Sequence, residues 1–113
     1  MALETRQIPI FPLNTVLFPG ASLPLQVFEE RYKLMIGECL RDNVPFGVVL
    51  IQSGREVGGP VVPFTAGTTA RICDVEYLEQ GRMNLRTIGE RAFRLLRLTQ
   101  QRPYMRGEIE PIE

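Results

Sequence analysis

The side chains that could do chemistry in this sequence are two cysteines, one adjacent carboxylate pair, a lysine and a late series of arginines. No histidine occurs in the 113 residues, which excludes HExxH zinc sites, Ser-His-Asp triads and Cys-His dyads together. Cys39 and Cys73 lie far apart and form no CxxC pair, so they read as two reduced, buried thiols. Glu29 and Glu30 are adjacent, whereas glycosidase carboxylates must face each other across a cleft and neighbours on a helix diverge by about 100°. Helix-start electrostatics accounts for them better. Lys33 falls on the polar face of the same segment and reads as a solvated charge, and Asp74 with Glu76 reads as a solvent-facing pair beside arginines. The glycines from Gly54 to Gly67 lack the lysine and the following helix of a phosphate loop. The sequence therefore points to a noncatalytic protein with no cofactor and no metal.

The net charge is zero, which gives no bulk attraction to nucleic acid or to an anionic membrane. All the positive charge except Lys33 is arginine, and most of it lies at Arg71, Arg82, Arg86, Arg91, Arg94, Arg97, Arg102 and Arg106. These alternate with Asp74, Glu76, Glu79, Glu90, Glu108 and Glu110, a pattern that predicts cross-strand ion pairs on a solvated sheet face. There is no signal peptide and no apolar run of about twenty residues, so the expected location is the bacterial cytoplasm or an organelle matrix.

The elements that must position these groups follow from proline, glycine and periodicity. Pro12, Pro19 and Pro24 each remove a backbone donor, and Gly20 permits a positive φ, so short edge strands joined by a tight reversal precede any helix. Apolar residues at Phe28, Tyr32, Met35, Ile36, Cys39 and Leu40 then mark one stripe of an amphipathic helix, with Glu29 and Glu30 in its first turn and Arg41 in its last. Asn43 and Pro45 stop it. Strands are expected at Ile8–Phe11, at Leu23–Val27, and at Phe46–Ile51, the last buried on both faces. Gln52 to Gly67 reads as a long loop with one extended piece at Val61–Phe64. Thr68–Leu78 returns to strand with a bulge near Cys73 and Asp74, and Glu79-Gln80-Gly81 turns into Met83–Ile88. Gly89 separates that strand from Ala92–Leu98, and Pro103 separates the last, Tyr104–Ile112. One 113-residue domain, α+β but mainly β, is predicted: a barrel of about six strands with one helix packed on it.

The ordered blocks IFPLNTVLFPG, LPLQVFEERYKLM, FGVVLI, GTTARI, GRMNLRTIGERAFRLL and PY, from Ile8 to Ile112, resemble the amino-terminal substrate-binding domain of Lon proteases and its free-standing bacterial relatives. The resemblance implies a PUA-like β-barrel subdomain that holds protein substrates. It also implies that a helical subdomain, and in full proteases the ATPase and Ser-Lys protease parts, belong to regions outside residues 1–113, so the chain is expected to be a piece of a longer protein. Unfolded or misfolded protein segments are the implied partners, and an oligomeric parent would add multivalency.

Such binding needs an exposed apolar patch rimmed by charge. The candidates are Phe18 at the FPG turn, Phe64 in the long loop, and Glu30 with Arg31 at the helix start. Phe18 could instead fold back on the barrel, and Phe64 could pin the loop to the core. Two other readings stay open: a self-association or docking module, and a PUA-like RNA-binding domain. The second is disfavoured by zero net charge and the lack of a basic run or an aromatic-arginine platform.

Overall fold

The computed structural model describes residues 4–58 and 60–112. Its elements are β1 (Arg6–Leu13), β2 (Ser22–Val27), α1 (Glu30–Asp42), β3 (Phe46–Gly54), β4 (Val61–Tyr77), a 3-10 turn (Glu79–Gly81), β5 (Met83–Gln100) and β6 (Arg106–Pro111). The strands run in the order β2-β5-β4-β3-β1-β6, and β6 pairs back onto β5. Five strands therefore close a ring, β5-β4-β3-β1-β6, while β2 lies outside it along the first half of β5. Only β1 and β3 are parallel, which their connection through β2 and α1 permits.

Closure depends on β4 and β5 serving two layers. Register breaks between Thr68 and Ala70, and again between Ile72 and Asp74, bend the pair. One half of each strand stays in the ring, and the other joins β2 in a three-stranded flap beneath α1. The break beside Cys73 and Asp74 is where the phase of the sequence predicts it.

Two apolar clusters follow from this arrangement. Ile8, Ile10, Val49, Phe93, Leu95 and Ile109 fill the ring. Its outer wall, with Phe11, Leu13, Phe46 and Val48, packs against Tyr32, Met35, Ile36 and Cys39 of α1. Strand alternation sends β1 and β3 side chains into both clusters, so FGVVLI is buried on both faces as expected. The ring is narrow. A Cβ on Gly47 or on Gly67 would stand 2.7 Å from the Phe93 ring, closer than packed carbons approach.

Several expectations are corrected. The helix begins at Glu30; Glu29 is its N-cap with extended backbone (φ −81, ψ 143), so only Glu30 lies in the first turn. Phe28 is exposed and off the buried stripe, because pairing of Val27 with Met83 keeps the chain extended up to the cap. Asn43 ends the helix in the left-handed region (φ 53), as its type suggests. The long loop is shorter than expected, since β3 runs on to Gly54 and β4 starts at Val61. Pro63 is accommodated in β4 opposite Ile51, where register shifts on both sides relax the ladder. Gly89 does not divide β5: its N–H donates to the Ala21 carbonyl (2.9 Å), and a Cβ there would meet Leu17 Cγ at 3.0 Å, so the β1–β2 loop crosses at this point. Tyr104 precedes β6 and is buried, its hydroxyl donating to Glu38 Oε1 (2.8 Å). Cys39 is buried, but Cys73 is partly exposed; both are free thiols. Lys33 is not solvated: its side chain is only 16% exposed, and its Nζ donates to the Gln80 carbonyl (2.6 Å) and to Glu30 (2.9 Å). The predicted cross-strand ion pairs form at Arg71–Glu90, Arg94–Glu110 and Arg97–Glu108, each at 3.2 Å.

Candidate functional site

The turn that carries Phe18 is built to hold its ring outward. Gly20 takes φ 84, and the Ala21 N–H closes on the Phe18 carbonyl at 3.0 Å. The Gly20 N–H donates to the Gly89 carbonyl (2.8 Å), and the Thr68 hydroxyl donates to the Leu17 carbonyl (2.6 Å). Leu17 is plugged into the core, whereas Phe18 beside it is 67% exposed. Phe18 is thus not folded back on the barrel.

Phe64 lies in β4, not in a loop, and shares its exposure with Val62 on either side of buried Pro63. Four residue steps along the strand lead from it to Thr68, the residue that anchors the Leu17–Phe18 turn, a span of at most about 13 Å. Val16, Phe18, Val62 and Phe64 are all exposed, the first two in the β1–β2 loop and the other two in β4.

Glu30 and Arg31 part company. The Glu30 side chain is almost fully exposed and turns to Lys33, on the side of the β4–β5 hairpin. Arg31 turns to a cleft of about 490 Å3 walled by Pro12, Pro60, Val61, Pro103 and Met105. Its guanidinium lies 4.7 Å from the centroid of the Tyr32 ring, which itself stacks on Phe11 at 4.2 Å. Nε stands 3.3 Å from Glu29 Oε1, close enough for an ion pair but without hydrogen-bond alignment. Nε and Nη2 are shielded from solvent and have no hydrogen-bond acceptor among the described residues. Glu29, Gln101 and Arg102 supply the remaining polar lining.

Sequence reasoning missed Glu29, Tyr32 and Glu56 as parts of this region. Residues 55–58 form a strap across the start of α1: Gly58 donates to Glu29 Oε1 (3.4 Å), and Glu56 Oε2 accepts the Asn14 N–H (2.6 Å). A second cleft of about 280 Å3 on the other side of the strap shares Glu29 and Tyr32 with the first and is lined by exposed Phe28. These pairings are nonlocal, and only the polarity of a Gly-rich segment hinted at them. Burial raises the Tyr32 hydroxyl above its usual pKa, partly offset by Arg31. The clefts combine apolar walls with one cation over an aromatic face, and no set of three metal-ligating side chains occurs among the described residues. No helix among them is long and apolar enough to cross a membrane.

Residues 7–113 match the sequence profile of the ATP-dependent protease La (LON) substrate-binding domain. The chain is 34% identical over 108 residues to a Lon protease of Anaeromyxobacter dehalogenans, covering 94% of this chain and 13% of that protein. It is 33% identical to Lon protease 2 of Myxococcus xanthus, again covering 94% of this chain and 13% of the relative. Among solved structures, the Lon N-terminal domain protein from Xanthomonas campestris superposes with a TM-score of 0.81 at 38% identity, over 96% of this chain and 60% of that one. The N-terminal domain of a Mycobacterium avium complex Lon protease shares the fold with a TM-score of 0.66 at 16% identity, over 96% and 54% of the two chains.

Proposed function

Because the chain belongs to the ATP-dependent protease La (LON) substrate-binding domain family, we propose that it is a noncatalytic module that holds unfolded or partly folded polypeptide on exposed apolar side chains, Phe18 first among them. The observation that carries this reading is Phe18, a large aromatic kept 67% exposed by a turn whose backbone is tied down at Leu17, Gly20 and Ala21. Exposed apolar surface on a folded domain marks an interaction site where it is contiguous. Val16, Val62 and Phe64 are further exposed apolar side chains. The chain spans 13% of the curated relatives, so proteolysis and ATP use are attributes of those proteins. Residues 1–113 as the barrel part of a larger protein, acting in the bacterial cytoplasm or an organelle matrix, complete the proposal.

Against nucleic acid, Arg71, Arg94 and Arg97 are already paired with carboxylates. Against docking by strand addition at β2, the outer strand carries Pro24, which cannot donate. The test is an NMR titration with a model protein in its native form and in its reduced, carboxymethylated, unfolded form. The unfolded form should broaden the signals of Val16, Phe18, Val62 and Phe64 while the native form leaves them sharp. Equal response to the two forms would overturn the reading.

A further inference from the structure

The Arg31 cleft does more than extend an apolar surface. Its walls are proline, valine and methionine side chains, yet it is also lined by the Arg31 guanidinium, which has Glu29 at 3.3 Å as its one acidic neighbour among the described residues. A second cation, Arg102, lines the same space, so the described lining holds two positive groups against one negative. The Arg31 guanidinium carbon lies over the Tyr32 ring at 4.7 Å from its centroid, and two of the guanidinium nitrogens lack acceptors among the described residues. A guanidinium with donors unspent is suited to a planar two-oxygen acceptor.

We propose that this cleft is a carboxylate-binding subsite for bound polypeptide, in which Arg31 pairs with a chain-terminal or side-chain carboxylate whose apolar neighbours lie along Pro60, Val61 and Met105. The proposal rests on the polypeptide-binding reading and gives it a chemical preference. Val61 walls the cleft and directly precedes exposed Val62 in β4, so the cleft and the exposed Val62 and Phe64 border the same strand on its two faces. Because Nε and Nη2 are shielded, engaging both requires the groups packed around the guanidinium to shift. The strap's link to Glu29 is one long bond from Gly58, at 3.4 Å. An incoming carboxylate competes with Glu29 for Arg31 and loosens that link.

The test uses the intact chain and three small probes followed by NMR on backbone amides and arginine Nε–H groups. N-acetyl-leucine presents a terminal carboxylate, N-acetylglutamic acid α-amide a side-chain carboxylate, and N-acetyl-leucinamide none. At least one carboxylate probe should shift Arg31 Nε–H together with the amides of Gly58, Val61 and Gln101, and bind roughly tenfold or more tightly than the leucinamide. The tighter of the two identifies the source. Arg31→Gln should abolish the preference, and Arg31→Lys should restore only part of it. Equal binding of the leucinamide, or shifts confined to other parts of the surface, would overturn the proposal. If Arg31→Gln gives no dispersed spectrum, the comparison of the three probes on the unmodified chain still decides. Should unfolded protein fail to bind while the probes still shift Arg31, the polypeptide reading falls and the subsite stands; the reverse result removes the subsite alone.

Discussion

Replacing Phe18 with serine separates a binding role from a packing role, because the structure sets different magnitudes for the two. The residue is 67% exposed. A phenylalanine presents roughly 200 Å2, so about 130 Å2 is free for a partner to cover. At about 25 cal/mol per Å2, complete cover is worth about 3 kcal/mol. Ordering of the partner offsets part of that, leaving on the order of 1.4 kcal/mol, or about a tenfold loss of affinity in the variant. The remaining third of the ring contributes at most about 1.5 kcal/mol to folding, and less against a compact unfolded chain. Fluorescence anisotropy with a labelled unfolded protein should therefore show roughly tenfold weaker binding, while circular dichroism shows Tm falling by no more than about 4–8 °C. Leu17→Ala, next in sequence but buried, should give the opposite pattern, with about 2–5 kcal/mol of stability lost. If Phe18→Ser leaves capture unchanged, or costs as much stability as Leu17→Ala, the ring serves the core and the argument from exposure is wrong.

Gly67→Ala should destabilise the chain by about 2 kcal/mol or more, read from the urea midpoint, because the new Cβ meets the Val48 backbone carbonyl as well as the Phe93 ring at 2.7 Å. Unaltered stability would mean that both the β3 backbone and Phe93 have room to move. Lys33→Met should cost about 1 kcal/mol and speed amide exchange at Leu78 and Arg82, since the lysine holds the Gln80 carbonyl across the hairpin; exchange unchanged at both would refute the tie. Burial pushes the Cys39 thiol from 9.0 to about 11, so the folded state keeps its proton where the unfolded state loses it. Stability should accordingly be full below about pH 9 and decline as the pH rises toward 11. Tyr32 and Tyr104 are also raised, chiefly by burial, so Cys39→Ala should flatten only part of that slope; an unchanged alkaline profile would show that Cys39 ionises freely in the fold. A disulfide-exchange reagent should label partly exposed Cys73 first and reach Cys39 only on unfolding.

How far the fold could be read from sequence depended on what each residue was asked to report. Tyr32, Met35, Ile36 and Cys39 declared the helix because its period is local. Phe28 extended that spacing by one false step, since nothing local reveals that Val27 is paired with Met83. Glycine was the main source of error. Gly20 and Gly81 have positive φ and make the expected turns, but Gly67 and Gly89 lie within strands and are there for space. A breaker and a close approach look alike in one sequence. The candidate site divides in the same way: Phe18 was legible from its turn, whereas the meeting of Arg31, Tyr32 and the 55–58 strap depends on partners distant in the chain.

Ring closure by β6 also fixes an order of events during synthesis. β1 emerges first, yet the neighbour that seals its outer edge is β6, about a hundred residues later. β5 waits for the same strand along its second half. A nascent chain that has reached residue 105 thus carries two open strand edges and an unfilled interior, and so is itself a sticky, partly folded polypeptide. Contacts this distant in sequence make folding slow relative to a helical domain of the same size. A module that we propose holds unfinished proteins must pass through that condition before its own last strand arrives.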